Sequence, residues 1–291
     1  EEVSLADPHH LGITVRALAA DPYHTKTVYA GISQQLSGTM TQVGGLYRSH
    51  NQGTSWEELD LGYPISVVKT IVADPRVTDT LYLATGEDAK NQGGGFPDDF
   101  PAGHVYRSLD GGNSWELTDT GLSGLPIAAL VVDPMDTSIL YAAVYERDDM
   151  TEAGGVFKST DRGKTWHRYS TGLPTHNITA LAIDPLKPER LFLGTWSNGL
   201  YISEDGAGSW KSFQGPLGQN ITILCLATSS RADRTFLYVG IAGGTTTTGD
   251  TRLSTGGAHE ETVLSAGVYQ QTIIKRPLNN KTYLPLVVKR Q

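Results

Sequence analysis

Two stretches of this chain carry enough carboxylates to do chemistry. GEDAKNQGGGFPDDFPAGH places Glu87, Asp88, Asp98 and Asp99 together, and YERDDMTEAG places Glu146, Asp148 and Asp149 together. Paired carboxylates at a defined separation can hydrolyse a glycosidic bond, one as the acid and the other as base or nucleophile. Clustered carboxylate and carbonyl oxygens can also hold calcium, the metal ion whose preferences they fit. The spacing matches no known calcium loop, and no organic cofactor is implied. Two aromatic residues sit close by in the pattern. Tyr145 precedes the second acidic stretch and Trp196 precedes the short SNG segment. An exposed aromatic ring is a stacking platform for a sugar. Solvated acidic loops and a tryptophan packed against its neighbours are the plainer readings of the same residues.

What holds these stretches in place is a repeat. Apolar runs ending in Asp-Pro recur as VRALAADP, VKTIVADP, IAALVVDP and ITALAIDP. Each is followed by a second run (TVYAGI, TLYLATG, ILYAAVY, LFLGTW) and then a third (GGLYR, GHVYR, GGVFK, NGLYI). A fourth begins at a tryptophan (WEELDL, WELTDT, WHRYST, WKSFQG). The order A-B-C-D is constant, and a weaker fifth unit follows, ending in YLPLVV. Four short strands per unit predict an all-β propeller of about five four-stranded blades. The expected arrangement is one domain over 1–291, with blades at about 15–62, 63–122, 123–174, 175–218 and 219–291. The near-continuous A runs predict strands buried on both faces, and the more alternating C and D runs predict strands nearer solvent. In such a meander the A–B and C–D turns share one edge. The B–C and D–A loops share the other, so the acidic stretches, which are B–C loops, lie on the second.

The C–D turn is a repeated phrase: SHNQGTSW, SLDGGNSW, STDRGKTW and SEDGAGSW. Its Asp110, Asp161 and Asp205, with Asn51 in the first copy, are suited to bond the backbone N–H groups of the turn. Gly53, Gly112 and Gly163 supply positive φ. Trp56, Trp115, Trp166 and Trp210 are expected to bury their rings between neighbouring blades. In the fourth copy Ala207 stands where glycine is expected, which predicts a rearranged turn. The phrase resembles the Asp-box, or BNR repeat, S-x-D-x-G-x-T/S-W. The resemblance covers about 15–215 and implies a propeller whose C–D hairpins are the boxes. Proteins of this kind include sialidases, xyloglucan hydrolases, sortilin-type receptors and photosystem assembly factors. The Arg-Ile-Pro of sialidases is absent, one cysteine cannot build the cysteine-rich module of sortilin-type receptors, and the xyloglucan enzymes are much longer. A motif that tolerates Asn51 and Ala207 builds the fold and does no chemistry.

Bulk properties narrow the rest. The 291 residues include 33 glycines and carry a net charge of −8, with 38% hydrophobic and 19% charged residues. An acidic chain without a basic face is a poor partner for nucleic acid. No run approaches the length of a transmembrane helix. Cys225, in ITILCLA, excludes an intrachain disulfide and is expected to be a small buried hydrophobe. Asn177, Asn220 and Asn280 begin sequons, and the C-terminal run offers a strand for self-association. A start at Glu1 without methionine is what a cleaved secretion signal, or a trimmed sequence, leaves. The expected function is a secreted or cell-surface, non-catalytic binding or scaffold propeller that takes a glycan or protein partner on its B–C loops. The alternative is a glycoside hydrolase using the acids of those loops.

Overall fold

The computed structural model describes residues 13–35, 42–62, 67–86, 103–122, 124–145, 154–173, 177–213, 221–232, 234–242 and 267–274. These residues are all-β, without a helix among them, and they form five antiparallel sheets. The first blade is β1 (Ile13–Ala20), β2 (Val28–Gln35), β3 (Gln42–Ser49) and β4 (Glu57–Leu59). The second is β5 (Val68–Ala73), β6 (Leu81–Thr85), β7 (Val105–Ser108) and β8 (Glu116–Leu117). The third is β9 (Ile127–Val132), β10 (Leu140–Val144), β11 (Gly155–Ser159) and β12 (His167–Arg168). The fourth is β13 (Ile178–Ile183), β14 (Leu191–Thr195), β15 (Leu200–Ser203) and β16 (Lys211–Ser212). The fifth comprises β17 (Ile223–Arg231), β18 (Arg234–Ile241) and β19 (Gly267–Ile274); YLPLVV lies outside the described residues. Every sheet is a simple meander in chain order, the propeller blade expected from the repeat. The chain divides into two compact units, Glu1–Arg168 and Tyr169–Gln291, so the first three sheets belong to one and the last two to the other.

Within each unit, consecutive blades stack face to face. In the first unit β1 packs on β5 and β5 on β9; in the second β13 packs on β17. One apolar core joins Leu46, Leu59 and Tyr29 to Val68, Ile71 and Leu83. A second joins Tyr82 and Ala84 to Ile127, Leu130 and Trp166. The core of the second unit joins Phe192 and Ile202 to Ile223 and Leu237.

The burial order corrects the expectation for the strands. The strands buried throughout are the B strands β6, β10 and β14, together with the C strands β7 and β15. The A strands β5 and β9 are only alternately buried. The middle strands have a hydrogen-bonded neighbour on each side and a sheet above or below, whereas an A strand leaves one long edge unpaired. The D strands β8 and β12 are exposed, as expected.

Blade spacing is set where a B strand meets the next A strand. At that point the B strand carries Gly31, Ala84 or Gly194, and the facing A residue is Val68, Ile127 or Ile223. A Cβ added to Gly31 would collide with the Val68 side chain, and one added to Gly194 would lie 2.6 Å from Ile223 Cγ2. Each A–B ladder also shifts register near the start of its A strand, at Arg16, Lys69, Ala128, Thr179 and Leu224. A bulge there bends the strand at the end that receives the D–A loop.

The box hairpins follow one wiring scheme. Ser159 Oγ donates to Asp161 Oδ1 (2.7 Å) and accepts from Gly163 N (2.9 Å). Asp161 Oδ1 accepts from Thr165 N (2.9 Å), and Oδ2 from Thr165 Oγ1 (2.6 Å). The same bonds recur around Ser108–Asp110–Ser114 and Ser203–Asp205–Ser209. Asn51 keeps the bonds on Oδ1 from Ser49 Oγ and Ser55 N, and reverses the last one, its Nδ2 donating to Ser55 Oγ. Two successive residues take positive φ in every box: Gln52 and Gly53, Gly111 and Gly112, Arg162 and Gly163, Gly206 and Ala207. The predicted rearrangement at Ala207 does not occur. Its φ is +71° and its N–H reaches Ser203 Oγ at 2.9 Å, so the bonds hold an alanine in the left-handed region. The first of each pair donates its N–H to the A–B turn of its own blade, at Lys26, Asp79, Ser138 and Glu189. Both turns therefore share one edge of the sheet. The A–B turns are themselves closed by Asp21, Asp74, Asp133 and Asp184, each accepting two backbone N–H bonds on Oδ1.

The tryptophans divide into two kinds. Trp166 and Trp210 are buried, and their indole N–H groups reach Thr118 O and Tyr169 O at 3.0 Å. Trp56 and Trp115 are half-buried and bond back to Gly53 O and Gly112 O at 3.1 Å, so the expectation of burial between blades holds for two of them. Cys225 is exposed, not buried, because it points from β17 toward a side that no sheet of its unit covers among the described residues.

Gly194→Val should destabilise the fold by roughly 1–3 kcal/mol through overpacking against Ile223. Denaturant melts should show part of that loss recovered in Gly194→Val/Ile223→Ala; no recovery would mean that this contact does not set the spacing. The boxes predict an acid limb. Burial alone would raise Asp161, but bonds from Thr165 and Ser159 bring it down to about 2. Bonds from Ser209, then Ser203, bring Asp205 down to about 2. Both values lie below the ordinary 3.8. Their contribution is complete above about pH 4 and is lost as pH falls toward 2. Urea midpoints against pH should fall over that window, and less steeply in Asp161→Asn.

Candidate functional site

The edge opposite the boxes carries the B–C and D–A loops. Glu87, Asp88, Asp98, Asp99, Glu146, Asp148, Asp149, Asn220 and Asn280 lie outside the described residues. Three predicted residues are described. Tyr145 ends β10, half-buried, with its N–H on Pro126 O at 3.1 Å. Asn177 is exposed just before β13. Trp196 follows β14 and is 55% exposed.

The Trp196 backbone is firmly held. Its N–H donates to Asn177 O at 2.8 Å, and the Ser197 N–H to Thr222 Oγ1 at 3.2 Å. Thr195 donates both its N–H and its hydroxyl to Gly199 O, and Gly199 N reaches Ile221 O. Ser197 takes φ +70° and Gly199 φ +77°, which lets the chain reverse within a few residues. The result is a large apolar ring presented to solvent from a pinned turn. The backbone beneath the ring has little freedom left to lose on contact with a flat ligand, which suits a stacking platform.

The sequence reading missed one pair. His104 immediately precedes the C strand of the second blade, and Asp119 follows its D strand. Nδ1 of His104 bonds Asp119 Oδ2, and the His104 N–H donates to Thr85 Oγ1 at 3.0 Å. Both side chains are largely buried, and the imidazole stands edge-on to Tyr106, with ring centroids 6.1 Å apart. The carboxylate fixes the ring's orientation, which makes a rigid polar post at the root of the loop that carries Glu87 to Asp99. The signal in sequence is a departure from the repeat: GHVYR has histidine where GGLYR and GGVFK have glycine. A cavity of ≈ 410 Å³ lies in the first blade, lined by Gly44, Gly45, Leu46, Glu58, Leu59, Asp60 and Leu61. It gathers none of the predicted site residues.

The displaced carboxylates all move one way. Asp21, Glu57, Asp110, Asp136, Asp161, Glu204 and Asp205 are held below their ordinary values, because hydrogen bonds and nearby cations outweigh the burial that opposes them. Such groups stay ionised at neutral pH and do not serve as proton donors.

The two roles assigned to tryptophan separate by mutation. Trp166→Ala should cost roughly 3–5 kcal/mol, as a buried aromatic truncation does. Trp196→Ala should change stability by no more than about 0.5 kcal/mol. Thermal or chemical melts of both variants check this; a large loss in Trp196→Ala would make that ring part of the core.

With this geometry in hand, the comparisons with known proteins bear on the loop edge. A model of the Sortilin-Vps10 family (sortilin, neurotensin receptor 3) matches residues 154–281. The oligoxyloglucan-reducing end-specific xyloglucanase of Emericella nidulans is 31% identical over 196 residues, which is 62% of this chain and 22% of that protein. A xyloglucanase of Hypocrea jecorina is 27% identical over 168 residues, 52% of this chain and 18% of that protein. The chain thus spans about a fifth of the length of these relatives. Among solved structures, the GH74 xyloglucanase from Xanthomonas campestris aligns at a TM-score of 0.59 and 20% identity, over 89% of this chain and 36% of that one. The GH74 enzyme of Niastella koreensis aligns at 0.59 and 24%, with the same coverage. These structural likenesses concern the fold. The relatives named as xyloglucanases overturn the expectation of a non-catalytic binding or scaffold propeller; the glycoside-hydrolase alternative is the better supported. Repeat, sheet topology and neighbours agree that the chain is a β-propeller protein of the Asp-box type.

Proposed function

We propose that the chain is the propeller portion of a secreted glycoside hydrolase acting on xyloglucan-type β-glucans. The observation that carries the reading is Trp196, an exposed ring on a pinned turn at the B–C end of the fourth blade. Similarity to xyloglucanases supplies the substrate class. The net charge of −8 suits a neutral polysaccharide better than a polyanionic one.

The chemistry is assigned to the B–C loops. One carboxyl among Glu87, Asp88, Asp98 and Asp99 and a second among Glu146, Asp148 and Asp149 would flank the scissile bond. One protonates the leaving oxygen. The other activates water or attacks the anomeric carbon, according to their separation. Within the first unit His104 stiffens the root of the first loop; within the second, Trp196 is assigned to stacking on a sugar ring.

The experiment is a reducing-sugar assay on xyloglucan, with cellulose and a carboxylated glucan alongside. Hydrolysis of xyloglucan should fall by about 10²- to 10⁴-fold when an essential acid, for example Asp98 or Asp148, becomes asparagine. Trp196→Ala should weaken xyloglucan binding by about 2- to 12-fold. Absence of turnover on all three glucans, in a chain that melts cooperatively, would sink the proposal.

A further inference from the structure

On the box edge of the first unit, at the other end of the strands from the loops just considered, three side chains converge. Asp21 and His24 belong to the A–B turn of the first blade, and Asp79 to that of the second. One ligand atom from each lies within 4.8 Å of the others. His24 Nδ1 is 3.0 Å from Asp21 Oδ2 and 3.9 Å from Asp79 Oδ1.

We propose that Asp21, His24 and Asp79 form a site for a divalent transition metal, zinc for preference, that clips the first two blades together at their A–B turns. Asp21 is preset for the task. Its Oδ1 is occupied by the N–H groups of Tyr23 (2.8 Å) and His24 (2.9 Å), which leaves Oδ2 directed at the imidazole. The Asp21 side chain is 4% exposed, whereas His24 and Asp79 are 54% and 46% exposed, so water can complete the shell.

The fourth blade shows how a cation can balance the equivalent aspartate, although Thr80 and Ile139 bring no charge to that position in the second and third blades. Asp184 occupies the same place in the fourth blade, and its Oδ2 is covered by Arg190 Nη1 at 3.2 Å. In the first blade the position corresponding to Arg190 is Thr27, which brings no charge. A second carboxylate, Asp79, arrives instead. Arg48 is the nearby fixed cation, but its Nη1 is committed to Gly111 O (2.8 Å) and its Nε to Glu57 Oε1 (2.6 Å). Two carboxylates are therefore left around one imidazole.

The donor set chooses the metal. One imidazole nitrogen and two carboxylate oxygens suit zinc and its neighbours, with a water as fourth ligand. Calcium, which takes six to eight oxygens, is poorly served. The site is structural, since it lies on the edge away from the acidic loops, and it stands whether or not the chain hydrolyses glucans.

The test uses the whole chain, stripped with chelator, in a Cys225→Ser background so that the exposed thiol cannot contribute. Zinc chloride should raise the melting temperature in a saturable way, with one equivalent bound by calorimetry, while calcium chloride should not. His24→Gln and Asp79→Asn should each weaken zinc binding at least tenfold and leave the metal-free melt in place. No zinc-dependent rise overturns the proposal. So does a rise that survives both substitutions, or one that is lost only in His104→Gln.

Discussion

The contact on which the other features depend is small: a residue without bulk on the second strand of a blade, against a β-branched residue on the first strand of the next. Gly31 faces Val68, and Gly194 faces Ile223 so closely that a methyl group would have nowhere to go. Ala84 and Ile127 are wholly buried at the corresponding place. Close approach there packs the middle strand onto the next sheet, in keeping with β6 and β14 being buried along their whole length. It also dictates the bulge that opens each first strand. The β-branched residue must point into the neighbour while the chain turns out of the loop, and one unpaired residue absorbs the mismatch. The loop edge is therefore rooted on strand ends whose positions the packing has already fixed.

The opposite edge is built from hydrogen bonds. Each box closes a turn around one serine hydroxyl and one side-chain carbonyl or carboxylate, then ties itself to the neighbouring A–B turn. Because the essential acceptor is a single oxygen, asparagine serves in the first copy. Because the left-handed pair is held from several sides, alanine serves in the fourth at a modest conformational cost. This tolerance marks a structural element: its partners are all internal, and none is spare for a ligand.

Much of this was legible in the residues. Four aligned copies of the strand pattern fixed element order, the two edges and the wiring of the turns, because each depends on neighbours close in sequence. What was not legible depends on neighbours far away. Apolar continuity in the A runs suggested burial on both faces, yet the flanking blades bury the B runs more completely. All four tryptophans read alike. Only Trp166 and Trp210 receive a carbonyl from the segment that Gly121 or Gly172 terminates, where a side chain would strike the tryptophan's own backbone oxygen. Cys225 sits in an apolar run but on an uncovered side. His104 and Asp119 are fifteen residues apart, and only the C–D pairing brings them together.

The box edge keeps its carboxylates ionised for an electrostatic reason. Hydrolysis of a glycoside needs a carboxyl group that keeps its proton near neutrality, and that demands an environment poor in hydrogen-bond donors. The boxes are the opposite environment. Hydroxyls and backbone N–H groups converge on Asp161 and Asp205 and hold them at about 2, and Glu57 and Glu204 are lowered by Arg48 and Lys211. A fold that stabilises its turns by keeping carboxylates ionised has no proton to lend there. The clustered acids of the second and third blades belong to segments that carry no Asp-box phrase, so the bonds that hold Asp161 and Asp205 ionised are not part of their sequence.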